Sequence, residues 1–325
     1  MSFGNSALQD SETKNWRPNM AFFRRQRATV TLSGTAPSAA SWRFQSISDG
    51  RLPFHFLRCE LTVDGTTAIG QGYHGLLKIS MRQALAEAWE RLWLTRPQKA
   101  DQGENAIDYP NSNGFAAGAT ASGAKESSRA ELIERAMVLT AWRSMRGWHP
   151  YTTSSLFAKL LCSGLRANNW RIRLFELRDT NLGSVVVALA ESQRRGAIFD
   201  SVFVGHARDR RHFEAKLLRS ITRVTLFNRS KFHENSGSFP DRGSPQDQAS
   251  FYAKPVNLTA FKFLDGVYST SGGTNLANPD DIKTTLLCGV SEMPAVAVSH
   301  HVLWPRLTWG KESIEGENPW PHPLA

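Results

Sequence analysis

The chain has 325 residues, of which 41% are hydrophobic and 21% charged, a balance that excludes a disordered or fibrous protein. Its formal net charge of +10 favours an anionic partner without choosing among a nucleotide, an acidic peptide and a nucleic acid. The longest strongly apolar stretch, residues 184–190, falls far short of the roughly 20 residues a membrane helix needs, and the polar residues 1–19 lack a signal-peptide core, so a cytoplasmic protein without membrane association is expected.

Residues 1–42 mix charges, Ser and Pro with little periodicity and read as an N-terminal arm or linker ahead of a domain at 43–325. Alternating polarity predicts a strand at 57–63. Gly70-Gln71-Gly72 reads as a turn, followed by a helix at 80–94 with Ser80 as N-cap. A second glycine-rich stretch, residues 112–118, precedes a helix at 123–145. Strands are predicted at 170–177, 184–190 and 201–205, a third long helix at 211–227, and a last strand at 295–304. The polar segments 228–254 and 269–281 read as surface loops. Helices and strands intermixed in this way give an α/β or α+β domain. The three cysteines, Cys59, Cys162 and Cys288, show no Cys-x-x-Cys spacing and are expected as buried thiols; the nine histidines show no metal-ligand spacing.

The most informative feature is a repeat. Glu87-Ala-Trp-Glu90-Arg91 and Glu131-Leu-Ile-Glu134-Arg135 both read E-x-x-E-R, each on a predicted helix behind a glycine-rich segment. A spacing of three puts both carboxylates on one helix face, while the Arg points about 100° away. One copy alone reads as a solvated charged face. Two copies of a mildly self-repelling arrangement point to a cation that offsets it. Di-iron bundles use Glu-x-x-His, whereas Arg ends both copies here, so Mg²⁺ with a polyphosphate fits better. Residues 112–118 offer small side chains where a backbone can approach an anion ahead of a helix N-terminus, but no Gly-Lys-Ser/Thr follows as in a Walker loop. Arg171, Arg173, Arg210 and Arg219 are further phosphate-contact candidates, with surface solvation as the plainer reading.

These residues resemble the YcaO family of ATP-dependent enzymes that activate peptide backbone amides. The likeness is carried by Ser112-Asn113-Gly114-Phe-Ala-Ala-Gly118, by Glu131 to Arg135 with Trp142 downstream, by Gly70-x-Gly72 with Glu87, Glu90 and Arg91, and by Gly205-His206 with the segment 217–222. It spans about residues 43–325 and implies a single large α/β (α+β) domain with mixed sheets. The ending Pro319-Trp-Pro321-His-Pro323-Leu-Ala325 resembles the Pro-x-Pro-x-Pro tail of the azoline-forming subfamily. The resemblance implies that Glu87, Glu90, Glu131 and Glu134 bind Mg²⁺ directly or through water, with Arg91 and Arg135 on carboxylates or phosphates. It further implies that Ser112, Asn113 and Gly114 cradle ATP, and that Pro319, Pro321 and Pro323 deliver the Ala325 carboxylate as a base.

The implied reaction is cyclodehydration of a ribosomally made precursor peptide. A Cys, Ser or Thr side chain attacks the preceding amide carbonyl, and phosphorylation of that oxygen lets it leave, giving an azoline. The implied partners are a separate ThiF-like leader-binding protein and a flavin-dependent azoline dehydrogenase, in a homo- or hetero-oligomer; nucleic acid is not expected. Three departures stand against the pattern: Gln71 for a lysine, Gln83 for a serine, and Arg223-Val-Thr-Leu226 for Glu-x-x-Gln. They leave open a non-catalytic scaffold subunit that binds peptide, and another amide activation, thioamide or amidine formation, stays open beside it.

Overall fold

The computed structural model describes residues 31–35, 41–46, 54–95, 114–227, 251–266, 282–287 and 295–300. The chain divides into two compact units and passes between them more than once, one crossing falling within a long helix between Ser127 and Ser128. Every strand pairing resolved in register is antiparallel, so the expected α/β or α+β architecture is realised as α+β.

The first unit contains a sheet in the order β1-β2-β3-β4, formed by Thr31–Thr35, Ser41–Ser46, His55–Val63 and Thr66–His74, with helix α1 (Leu77–Thr95) packed along β4. Two of these strands lie within or at the border of the predicted arm. The predicted strand at 57–63 lies within β3. The predicted turn at Gly70-Gln71-Gly72 is instead the middle of β4. Its glycines serve a close approach: a Cβ at Gly70 would stand 2.1 Å from the Ala84 carbonyl oxygen, and one at Gly72 would stand 1.9 Å from that of Ser80. Helix α1 starts three residues earlier than expected, so Ser80 is no N-cap. It lies inside the helix, where its buried hydroxyl donates to Gly72 O at 2.8 Å. The core here joins Leu57, Cys59, Leu61, Ala84, Ala88, Trp89 and Leu92 with Phe115 and Val296.

Phe115 belongs to β5 (Phe115–Gly118), which pairs with β11 (Ala295–His300) in a three-stranded sheet completed by β10 (Lys283–Leu287). Part of the predicted glycine-rich loop is therefore strand. Helix α2 (Ala121–Ser144) follows it, with the Thr120 hydroxyl accepting from Gly123 N–H at 3.0 Å as the N-cap that the sequence reading missed.

The second unit holds the sheet β6-β7-β8-β9, formed by His149–Pro150, Arg171–Asp179, Gly183–Ser192 and Gly196–Gly205. Residues 185, 187 and 189 of β8 join a core with Trp142, Trp148, Phe175, Phe199 and Phe261, the last from the 3-10 segment Pro255–Gly266. Residues 186, 188 and 190, on the opposite face, are also fully buried. That double burial explains the near-continuous apolar run at 184–190 in an antiparallel strand. Helices α3 (Leu156–Ala167), absent from the sequence reading, and α4 (Arg211–Phe227) pack on this sheet. Buried Glu214 anchors α4 by accepting from the hydroxyls of Tyr151 and Thr153 and from Ser155 N–H.

Candidate functional site

The first E-x-x-E-R copy lies on α1. Helix and edge strand run side by side, and their spacings match: about 6 Å per four helix residues against about 6.6 Å per two strand residues. Gln83 Oε1 accepts from Tyr73 N–H at 3.1 Å, Glu87 Oε2 accepts from Gln71 N–H at 2.7 Å, and Arg91 donates to Ile69 O at 2.9 Å. Arg91 also forms an ion pair with Glu87 Oε1. Both oxygens of Glu87 are thus engaged within the fold. Glu90, half-buried, lies three residues further along the same helix. The Gln71 and Gln83 departures fall on this seam, one through its backbone and one through its side chain.

The second copy lies on α2, in the second unit. Glu134 is held by β9: the Ser201 hydroxyl donates to Oε1 at 2.6 Å and Phe203 N–H to Oε2 at 3.0 Å. Glu131 keeps 25% of its side chain exposed yet is hemmed in by protein. Burial pushes its carboxyl up to about 7; Glu134's charge adds to the rise, while Arg135 and Lys216 oppose it. Arg135 Nε stands 3.9 Å from Glu131 Oε1, beyond hydrogen-bond reach, and is a buried donor with no partner among the described residues. Asp200 adds a third carboxyl to this neighbourhood. Burial raises it and Glu134's charge adds to that, against hydrogen bonds from Ser220 and the Ser201 N–H and the charge of Arg135.

Gly114 ends the candidate cradle in a left-handed conformation, φ 73°, and a Cβ there would stand 2.4 Å from Ser299 O. Ser112, Asn113, Pro319, Pro321, Pro323 and Ala325 lie outside the described residues, as does Cys288. Cys59 and Cys162 are buried thiols, as expected. Among the candidate phosphate-binding arginines, Arg173 makes a two-pronged ion pair with Glu191 and a third bond to Asp265, and Arg210 pairs with buried Glu176. Arg171 lies 3.9 Å from Asp265, and Arg219 is buried with its guanidinium over the Phe157 ring. These contacts place Arg173, Arg210 and Arg219 in the architecture, a role that neither a solvated face nor a phosphate site had suggested. Trp142 is likewise a core residue, edge-on to Phe199, Tyr252, Phe261 and Phe263.

Sequence reasoning missed Asp200, Ser201 and the Phe203 N–H as the setting of Glu134. A signal existed, since Asp200-Ser201 are polar residues in the middle of an otherwise apolar strand. Among the described residues no group of three or more His, Cys, Asp and Glu gathers tightly enough to hold a metal. The donors on α2 nevertheless suit a magnesium polyphosphate. Burial and the charge of Glu134 raise two carboxyls despite the positive charge nearby, and a buried guanidinium donor has no acceptor among the described residues. Glu87 and Glu134 each have both oxygens bonded within the fold.

No family model and no curated protein matches the chain. Solved structures do. A chain of the E. coli microcin synthetase McbBCD complex aligns with a TM-score of 0.55 and 12% identity, over 83% of this chain and 89% of that one. A chain of the same complex with pro-MccB17 bound aligns with a TM-score of 0.57 and 11% identity, over 91% and 100%. YcaO from Methanopyrus kandleri, bound with AMPPCP and Mg²⁺, aligns with a TM-score of 0.49 and 11% identity, over 84% and 85%. At these identities the likeness is one of fold: the chain shares the fold of these microcin synthetase chains.

Proposed function

We propose that the chain is an ATP- and Mg²⁺-dependent cyclodehydratase of a ribosomally made precursor peptide, converting Cys, Ser or Thr residues to azolines. The observation that carries this reading is the α2 constellation: Glu131 and Glu134 three residues apart, with the buried Nε of Arg135 beside Glu131 and without a partner among the described residues. The shared fold supports it, since the microcin synthetase complex is one solved with pro-MccB17 bound.

On this reading Glu131 and Glu134 hold Mg²⁺ directly or through water, with Glu90 and Glu87 contributing from α1. ATP supplies the phosphoryl group that turns the amide oxygen into a leaving group. Arg135 Nε donates to a phosphate oxygen, and Ser112, Asn113 and Gly114 line the nucleotide. Arg91 holds Glu87. The protein's contribution is positioning and neutralisation of charge. The tail Pro319, Pro321, Pro323 presents the Ala325 carboxylate as a base, so deleting residues 319–325 would spare nucleotide binding and lower cyclisation. A ThiF-like leader-binding protein and a flavin-dependent azoline dehydrogenase are the proposed partners, in the cytoplasm.

The test is calorimetric titration with a slowly hydrolysed ATP analogue, with and without Mg²⁺, beside Glu134→Gln. Glutamine keeps an acceptor for Phe203 N–H and an amide for the Ser201 hydroxyl, so the fold is retained while the charge is lost. Magnesium-dependent binding by the wild type that disappears in Glu134→Gln is the expected result; equal binding by both refutes the assignment.

A second reading is a non-catalytic scaffold subunit. It is favoured by the engagement of both Glu87 oxygens and by Arg223 at the family's carboxylate position. Absence of nucleotide binding by the folded wild type would select it.

A further inference from the structure

Ser299, on β11, stands at the junction of three segments of the second unit. Its backbone N–H donates to Gly114 O at 2.8 Å, and its own carbonyl oxygen fills the space where a Cβ on Gly114 would sit, 2.4 Å away. Its hydroxyl lies 2.8 Å from the Ser128 hydroxyl on α2 and 2.8 Å from the Thr284 hydroxyl on β10. Ser128 is fully buried and Ser299 is 1% exposed. Ser128 precedes Glu131 by three residues, so one helical turn separates the hydroxyl chain from the first carboxylate.

A single buried hydroxyl can donate once and accept from a second partner, and the Ser299 hydroxyl lies within hydrogen-bond distance of two others. Three hydroxyls in an apolar strand and helix setting are costly unless they are paired. Apolar residues would fill the same space, so the pairing points to a requirement for geometry.

We infer that Ser299 is a positioning residue: it fixes the Gly114 turn against the turn of α2 that carries Glu131 and Glu134, and so sets the distance between the nucleotide cradle and the magnesium carboxylates. This inference rests on the nucleotide reading above. Ser299 touches neither nucleotide nor metal; it acts through Gly114 and Ser128.

The test compares the wild type with Ser299→Ala, Ser128→Ala, the double variant and Thr284→Val, by titration with the ATP analogue in excess Mg²⁺. The titrations are run at a temperature where circular dichroism shows every variant folded. Ser299→Ala and Ser128→Ala are each expected to weaken Mg²⁺-dependent affinity about tenfold, a scale typical of broken buried networks, with the double variant no weaker than either single one. Thr284→Val, which leaves the Ser128–Ser299 bond in place, is expected to stay within about threefold of the wild type. A purely structural hydroxyl chain would lower the melting temperature of all four variants and leave affinity unchanged, and that result overturns the inference. Additive losses in the double variant also overturn it. Failure of the wild type to bind the analogue overturns the nucleotide reading and this inference together, whereas wild-type binding with unaltered Ser299→Ala overturns the inference alone.

Discussion

The 2.7 Å hydrogen bond from Gln71 N–H to Glu87 Oε2 joins the two halves of the first sequence motif, the glycine pair and the glutamate pair, as strand edge and helix side chain. Glu87 therefore has a structural duty whether or not it also meets a cation. Glu87→Gln keeps an acceptor for Gln71 N–H and gives up only the ion pair with half-exposed Arg91, so its unfolding free energy should fall by less than about 1 kcal/mol. Glu87→Ala removes the side-chain acceptor of the Gln71 N–H and should cost about 1–3 kcal/mol. Urea titration of both variants checks the difference; equal losses would remove the seam as the reason for Glu87.

The glycines of β4 set how near α1 can come. Gly72→Ala would place a methyl 1.9 Å from the Ser80 carbonyl oxygen, backbone against backbone, so no side-chain rotation relieves it. The first unit is expected to lose about 3 kcal/mol or more, seen as a lowered and broadened thermal transition by circular dichroism. Gly75→Ala, where nothing stands within 4 Å of the new methyl, is the control and should leave the transition in place.

The Glu131 carboxyl, pushed up to about 7 by burial, gives a pH dependence of defined sign. Between its ordinary value near 4.5 and about 7, the folded chain holds a proton that the unfolded chain has released. Stability from this group therefore falls as pH rises through that window and is flat above it. Thermal melts from pH 4.5 to 8 should show the wild type losing stability relative to Glu131→Gln as the pH rises. A difference that does not change across the window would contradict the raised value.

Cys59 is wholly buried, and burial pushes its thiol up to about 12. Almost no thiolate exists at pH 8, and no reagent reaches it. Iodoacetamide should leave Cys59 unmodified in the native chain and label it fully in denaturant, read by peptide mass spectrometry. Labelling at the same rate in both conditions would show that the sheet and α1 do not enclose it.

Much of this was legible from the residues. The strands in 170–205, the helix at 211–227 and the helices bearing both E-x-x-E-R copies follow from apolar periodicity, which the core enforces strongly at Val185–Val187 and Leu217–Leu218. Gly70-Gln71-Gly72 misled because glycine marks both turns and close backbone approach. Only the packed helix distinguishes the two, and that is a tertiary fact. Ser80 misled for a similar reason: a serine near a helix start caps it or buries its hydroxyl against a neighbouring strand. Helix α3 did carry a signal, the cap Ser155 followed by Ala158, Leu161, Cys162 and Leu165 at helical spacing, which the reading passed over. The setting of Glu134 by Ser201 and Phe203 joins positions 67 and 69 residues apart, beyond the reach of any local pattern.

The seam along α1 also bears on how an extended peptide would meet the first sheet. Gln83, Glu87 and Arg91 occupy the outward backbone groups of Tyr73, Gln71 and Ile69 on β4, at one end of the strand order. Two donors and one acceptor of that edge are thereby taken, and the side chains that take them stand where a guest backbone would pair. A peptide that bound this sheet by β-augmentation would meet that competition at β4, whereas β1 stands at the opposite end of the strand order.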